Sequence, residues 1–516
     1  MTPQSIVDRD QNKTGLLVLA GVALSTSNLL LLPVWSDILY LNPISQYYML
    51  GPTVACDYFA AIADLLLVAA VIFAVGLLIA RTQNRYVRAA AEYVFLALLV
   101  IPLNTFRLST PYQLGIGIWM ARAHQKGLFI PLVVGLCILA AIMIYLRRYV
   151  FNFARIVVLL LLPYALITSG QAVAKAIHGS DTAPFGKNRL FSPLVVQSPQ
   201  PAVVWIIFDE MDESMAFSRR PAGLSLPAFD ALRKEAIFLS HAMAPSVETL
   251  ISLPSLLTGV HLEDAKPGGI SELTIYPNYS TPEPLTKLPN VFMRVKAGGF
   301  RTTVAGWYHP YCRLFSAALD QCSWRPVYQS VTGQVSFEDK NFFKSMSDEL
   351  RAISPLNRRR LHIDAYNRIL ADAKQAATQP SGLIFLHFPI PHAPVIYNRK
   401  TQQLTTLMPS NITGYVDNLA LCDRTLAELR NVMEQHGTWK STTLIISSDH
   451  PWRDAANYEG KKYPYVPFLV KMPEQSGGIE ISSDFHTIHT QELVLAVLQG
   501  KIHNATDAAE WIKAQK

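Results

Sequence analysis

The spacing of apolar positions divides the chain in two. Up to about residue 177 long apolar runs dominate, and from about residue 190 short apolar runs alternate with stretches rich in Pro, Asp, Glu, Lys and His. Five runs in the first part reach the roughly 20 residues that a helix needs to cross a bilayer: Gly15 to Trp35, Tyr58 to Ala80, Ala89 to Phe106, Gly127 to Leu146 and Phe153 to Val173. Glu92 and Pro102 interrupt the third. In the second part Ala202 to Phe208, Thr302 to Ala305, Gly382 to Phe388 and Thr442 to Ser447 read as buried strands, separated by helical patterns. That alternation predicts an α/β domain with a largely parallel sheet flanked by helices. The expected plan is an α-helical transmembrane domain over 1–177, a linker over 178–200 that is rich in Gly, Pro and Ser, and an outer domain over 201–516.

Charge orients the spans. Loops rich in Lys and Arg stay on the cytoplasmic side, and Arg81, Arg85 and Arg88 fill one short loop while Arg147 and Arg148 fill another. Ser36 to Asp57 carries no Lys or Arg, although Arg107, Arg122 and Lys126 in the next outer loop oppose the rule. The pattern places the amino terminus inside and, after an odd number of spans, everything beyond Lys175 on the periplasmic or extracellular side of the cytoplasmic (inner) membrane. The first span lacks the small-residue cleavage site of a signal peptide and reads as a retained anchor. A net charge of +7 with scattered basic residues argues against a nucleic-acid partner. Cys312 and Cys322 lie ten positions apart, where an oxidising compartment allows a disulfide; two unpaired thiols are the alternative. Cys56, Cys137 and Cys422 read as packing residues.

In an open α/β sheet the site forms at the carboxyl ends of the strands. The first strand runs into Asp209 and Glu210. Buried unpaired carboxylates are costly, and a divalent cation is the usual remedy, though Asp after a strand also makes turns and helix caps. The last strand runs into Ser448-Asp449-His450, and carboxylate with imidazole suits Zn²⁺ or Mn²⁺, whereas an all-carboxylate site leans to Mg²⁺ or Ca²⁺. Between them, Pro245 to Gly259 is a polar turn opening an apolar helix. Thr249 at that helix start is an N-cap by spacing, and the same place suits a nucleophile, since helix N-terminal amides favour a developing anion.

These residues resemble the alkaline phosphatase/sulfatase superfamily over most of 200–500. Asp209 and Glu210 fall where sulfatases carry paired metal-binding aspartates and where phosphoethanolamine transferases carry a metal-binding glutamate at the second place, which makes Glu210 the stronger candidate. Leu256-Leu257-Thr258-Gly259 is similar to the end of the sulfatase C-x-P-S-R-x-x-L-L-T-G signature, and counting back puts Thr249 at the modified cysteine. Thr249-Leu250-Ile251-Ser252-Leu253-Pro254 is also similar to the T-x-x-S-L-P of the transferases, whose Thr is the nucleophile. Leu386 to Pro394 resembles the P-H-x-P of sulfatases and the L-H-x-x-x-S-H-G-P of the transferases, with His392 matching the histidine that contacts the transferred group. His387 reads as an ordinary strand residue. Asp449 and His450 match the S-D-H-G metal motif, with Pro451 in place of Gly. Tyr458 to Pro467 looks like the return to the sheet, where Lys461 or Lys462 could reach the anion or simply be solvated.

The departures narrow the activity. Thr249 cannot become the formylglycine that sulfatases need, and Leu253 stands where their helper Arg does. Gly306-Trp307-Tyr308-His309 replaces their G-K-W-H, so the anion-binding Lys is absent while His309 remains. The resemblance implies a metal-bound Thr249 alkoxide that attacks a phosphodiester and is displaced by a second acceptor through a phospho-threonine. Glu210, Asp449, His450 and Asp209 then hold the metal together with Thr249, most suitably zinc, and His392 and His309 stabilise charge or protonate the leaving group. Five spans before such a domain resemble transferases that move phosphoethanolamine from a membrane phospholipid to an envelope lipid or glycan such as lipopolysaccharide; lipoteichoic acid synthases use phosphatidylglycerol. The alternatives are a sulfatase-like hydrolase of phosphodiesters or sulfuric esters and a catalytically silent lipid-binding regulator. Tyr40, Tyr47 and Tyr48, and Tyr112, Trp119, Arg122 and His124, sit in the two expected outer loops. They read either as interfacial aromatics or as groups that present a lipid head group to Thr249, with Arg122 pairing to its phosphate.

Overall fold

The computed structural model describes residues 3–39, 48, 53–109, 129–178, 201–269, 271–278, 280–326, 341–354, 356–408, 412–456, 460–461 and 463–515. The expected linker beyond His178, the loop residues Tyr40, Tyr47, Tyr112, Trp119, Arg122 and His124, and Tyr458, Glu459 and Lys462 lie outside them. The chain forms two compact units. One comprises Met1–Asn42, Pro52–Asp181 and Val335–Asn357; the other comprises Pro43–Gly51, Thr182–Gln334 and Arg358–Lys516. Among the described residues, Tyr48 falls with the second unit and Phe342–Ala352 with the first.

The first unit is helical. Among the described residues three helices are long and apolar enough to cross a membrane, Ala55–Arg81, Arg85–Thr105 and Arg147–His178, and a bent pair, Gly15–Leu30 with Leu32–Ile38 at 57°, makes up to four. The fourth expected span appears as the 17-residue helix Phe129–Tyr145. Leu66, Val71 and Leu78 of Ala55–Arg81 are exposed, while polar contacts join the helices on the inner side. Ser27 Oγ donates to the Leu65 carbonyl at 2.7 Å, Ser25 Oγ to the Val158 carbonyl at 2.6 Å, and Thr168 Oγ1 to Asn28 Oδ1 at 2.8 Å. Small hydroxyl residues of this kind satisfy polar atoms where water is absent. The helix Phe342–Ala352 belongs here too. Asn341 caps it by accepting from the Lys344 amide. Its Ser345, Glu349 and Ala352, spaced on one face, are buried, and Ser345 Oγ donates to Asp57 Oδ1 at 2.8 Å.

The second unit is an α/β domain. Its main sheet has nine strands among the described residues: β1 (Ala202–Phe208), β2 (Ile237–Met243), β3 (Thr302–Trp307), β4 (Gln321–Arg325), β5 (Gly382–Phe388), β6 (Thr443–Ser447), β7 (Tyr465–Lys471), β8 (Ile479–Ile481) and β9 (Phe485–His486). The order is β8-β2-β7-β6-β1-β5-β3-β4, with β9 also on β2. Only β7 runs antiparallel to its neighbours. All four predicted strands form, and β3 extends two residues beyond its expected end at Ala305. In the centre, β1 pairs in parallel with β6 and β5, and every residue of β1 is buried. Side chains of a strand alternate between faces, so Val203, Trp205 and Ile207 enter one core and Val204, Ile206 and Phe208 the other. Two covered faces explain why β1 reads as an unbroken apolar run. The first core also receives Leu253, Leu256 and Leu257 of the helix Thr249–Thr258; the second receives Tyr366 and Ile369 of Asn357–Thr378 and Leu419 and Leu426 of Ile412–Gln435. Cys312 and Cys322 are disulfide-bonded.

Candidate active site

The carboxyl ends of β1, β3, β5 and β6 converge, as parallel neighbours must. After β1 the backbone turns sharply, and Glu210 takes a φ of 67°, as Tyr308 does after β3. Such left-handed conformations are uncommon for residues with a Cβ and concentrate where the surroundings impose them. Here the imposing contacts are visible. The Glu210 amide donates to Asp449 Oδ1 at 3.0 Å, the Met211 amide to Ser448 Oγ at 2.8 Å, and the Tyr415 hydroxyl to the Glu210 carbonyl at 2.9 Å. The turn after β1 is thus sewn to the turn after β6.

Thr249 is the first residue of its helix and is buried. Its Oγ1 lies 3.2 Å from His450 Nε2 and 3.4 Å from Asp209 Oδ2. Glu248 occupies the cap position without a side-chain cap bond, so the Thr249 hydroxyl is turned to the strand ends and is not spent as an N-cap. Ser252, one turn along, anchors the helix by donating to the Asp449 carbonyl at 2.5 Å.

Asp209, His387 and Asp449 each offer one donor atom within 4.8 Å of the others, a group that could hold a metal ion. Asp209 Oδ1 and Asp449 Oδ2 are buried without a hydrogen-bond partner, which is the state expected of oxygens that face a cation. His450 brings a second imidazole to the same two carboxylates. His450 Nδ1 lies 3.0 Å from the Pro451 carbonyl, so that nitrogen carries the proton and Nε2 keeps its lone pair. Nε2 is 3.5 Å from Asp449 Oδ2 and 4.0 Å from Asp209 Oδ1. His387 Nε2, by contrast, sits between the Trp307 indole N–H and Asp209 Oδ2, both at 3.2 Å. It either accepts from the first or donates to the second, and in neither case is its lone pair open.

Electrostatics follow the clustering. Burial raises the Asp209 carboxyl, but the imidazoles of His392, His387 and His450 outweigh it and hold the group below the usual carboxylate range. Burial lowers His450, yet Asp449, Asp209 and Glu210 together hold it above its ordinary value.

The remaining predicted residues are placed differently from one another. The Glu210 carboxylate turns to Arg453, accepting from its amide at 3.1 Å and its Nε at 3.2 Å, and lies 4.0 Å from His392 Nε2. His392 is half-buried beside Trp307, with ring centroids 5.4 Å apart, and its amide donates to the Asp209 carbonyl at 3.1 Å. His309 is buried and addresses the nucleophile's main chain, with Nε2 3.1 Å from the Thr249 carbonyl. Burial pulls its imidazole down to about 3, so it is neutral. Sequence reasoning missed Arg453, whose guanidinium also comes within 3.4 Å of His450 Nε2, and undervalued His387. An imidazole inside the wholly buried run of β5 was the available signal for the second; nothing in Pro451-Trp452-Arg453 marked the first.

Residues 201–491, more than half of the chain, match the family model described as Sulfatase, and the chain belongs to that family. The superfamily includes sulfatases and phosphonate monoester hydrolases and uses a divalent metal. Comparison with curated proteins gives no match. Among solved structures the chain is similar to Ps i-CgsB in complex with k-i-k-neocarrahexaose, at 13% identity over 62% of this chain and 77% of that one with a TM-score of 0.44. It is similar to the phosphonate monoester hydrolase of Agrobacterium radiobacter at 12% identity, 58% and 74% coverage and a TM-score of 0.39. A protein of the alkaline phosphatase superfamily from Vibrio parahaemolyticus matches at 13% identity, 60% and 68% coverage and a TM-score of 0.39.

Proposed function

We propose that this protein is a phosphotransferase that moves a phosphoethanolamine-type or glycerol-phosphate group from a membrane phospholipid to an envelope lipid or glycan, with Thr249 as nucleophile. The observation that carries the reading is the Thr249 hydroxyl at a helix N-terminus, 3.2 Å from His450 and 3.4 Å from Asp209. Asp209, Asp449 and His450 would hold a divalent metal, which when bound lowers the pKa of a nearby hydroxyl and offsets charge on phosphate oxygens. Thr249 gives up its proton along the contact to Asp209 Oδ2 as its oxygen bonds to phosphorus. The bond from phosphorus to the diacylglycerol oxygen breaks, and His392, the partly exposed imidazole of the site, supplies that oxygen with a proton. An acceptor hydroxyl then gives its proton to His392 as its oxygen bonds to phosphorus, the bond from phosphorus to Thr249 Oγ1 breaks, and Thr249 recovers its proton from Asp209 Oδ2. Arg453 adds a cation beside Glu210 and His450, in a chain that lacks the sulfatase lysine.

The apolar helices give such an enzyme direct access to a lipid donor, which a hydrolase of soluble esters does not need. A threonine cannot supply the hydrated aldehyde of sulfatases, and the intact nucleophile and carboxylates speak against a silent regulator. The test is diacylglycerol release from labelled phosphatidylethanolamine or phosphatidylglycerol vesicles by the full-length protein, with and without chelator. Thr249→Ala is expected to abolish release while metal content is retained. Turnover surviving in that variant overturns the reading, and acceptor-independent cleavage of a soluble aryl phosphodiester with no lipid turnover assigns hydrolysis instead.

A further inference from the structure

In sequence, Tyr48 lies between the bent helical pair and the Ala55–Arg81 helix, yet it falls within the α/β unit. It is fully buried there and belongs to the core that also contains Leu253 of the nucleophile's helix. Two hydrogen bonds fix it. Arg313 Nη2 donates to the Tyr48 carbonyl at 2.6 Å, and the Tyr48 hydroxyl lies 2.8 Å from His309 Nδ1, with the two rings edge to face. Arg313 is itself held, with its guanidinium 4.5 Å from the Trp324 ring centroid, and it follows Cys312 of the disulfide.

The roles of the two nitrogens of His309 are set by their partners. The Thr249 carbonyl can only accept, so Nε2 carries the proton and donates to it. Nδ1 is then the acceptor and the Tyr48 hydroxyl the donor. We propose that Tyr48 is a positioning residue for the nucleophile: it selects the Nε2–H tautomer of His309, and His309 clamps the main chain of Thr249 so that Oγ1 faces Asp209 and His450. A parallel device orients the neighbouring histidine, since the Tyr311 hydroxyl lies 3.0 Å from His387 Nδ1. The proposal rests on Thr249 being the reacting residue, and it makes the site incomplete without a residue donated from the amino-terminal part of the chain.

The test uses the full-length protein with Tyr48→Phe, His309→Ala and the double variant, assayed on a soluble aryl phosphodiester. Tyr48→Phe removes one oxygen and is expected to lower kcat about ten- to a hundred-fold through loss of alignment, with KM almost unchanged. In the His309→Ala background the same substitution is expected to have no further effect on kcat. ¹⁵N spectra of histidine-labelled protein provide a second readout: one neutral Nε2–H tautomer for His309 in the parent, and a mixture in Tyr48→Phe. An unchanged kcat in Tyr48→Phe, equal losses in both backgrounds, or an unaltered tautomer overturns the proposal. If Thr249→Ala retains turnover, the functional reading fails by that route alone, and the spectra still report whether Tyr48 sets the tautomer.

Discussion

The amide of Glu210 donates to Asp449 Oδ1 at 3.0 Å, which ties the turn after β1 to the turn after β6 across adjacent parallel strands. Asp449 thus has two tasks, one for each oxygen: Oδ1 accepts the amide, and Oδ2 is left without a hydrogen-bond partner.

The two tasks can be separated. Asp449→Asn keeps an oxygen acceptor for the Glu210 amide but removes the negative charge, so the fold should survive while metal affinity drops by about ten-fold or more. Asp449→Ala removes both and should also lower the thermal midpoint. Metal content by mass spectrometry and a melting curve for each variant decide the point; full metal occupancy in Asp449→Asn would remove this residue from the metal group.

Arg453 is expected to act on substrate affinity. Arg453→Gln should raise KM for phosphodiesters roughly ten-fold, on the scale of one lost charge-assisted hydrogen bond, while kcat changes less. Steady-state kinetics on one soluble substrate suffice. An unaltered KM would leave Arg453 only its contacts to Glu210 and His450.

The disulfide closes a short loop around the segment that carries Arg313. Replacing Cys312 and Cys322 together by Ser should lower stability by about 2–3 kcal/mol, the size expected for a loop of this length. Calorimetry of the purified double variant measures it, and a midpoint equal to that of the parent would show that the bridge adds no stability.

Asp423 makes stability depend on pH. Burial raises its carboxyl to about 6, although it accepts the Phe229 amide at 2.9 Å. Because the folded value lies above the unfolded value of about 3.9, its contribution is fully present below about pH 4 and is lost as the pH rises through about 6. Asp423→Asn should therefore gain on the parent between pH 4 and 7, by on the order of 1–3 kcal/mol, and track it at constant difference above. Denaturant titrations at pH 4, 5.5 and 7.5 test the sign; a parent that gains on the variant with rising pH contradicts it.

Much of the site was legible because its parts sit at strand ends. Asp209 follows the run of β1 and Asp449 and His450 that of β6, and local sequence alone records where a buried strand stops and an ionisable residue begins. The helix from Thr249 was equally visible through its apolar pattern and its Gly259, which adopts a φ of 71° at the helix end. What local pattern cannot hold is a pairing between distant positions. Arg453 meets Glu210 across 243 positions, and Tyr48 meets His309 across 261; neither partner carries a mark of the other.

Membership of the two units shows the same limit. The sequence by itself determined an apolar helical part, a parallel α/β part and the family of the second, because period, length and motif are properties of contiguous residues. Only the tertiary structure decided that Phe342–Ala352 packs with the apolar helices while Tyr48 enters the α/β core. It also decided the surroundings of each imidazole: the Pro451 carbonyl fixes the proton of His450 on Nδ1, while Nε2 of His387 is taken up by Trp307 and Asp209.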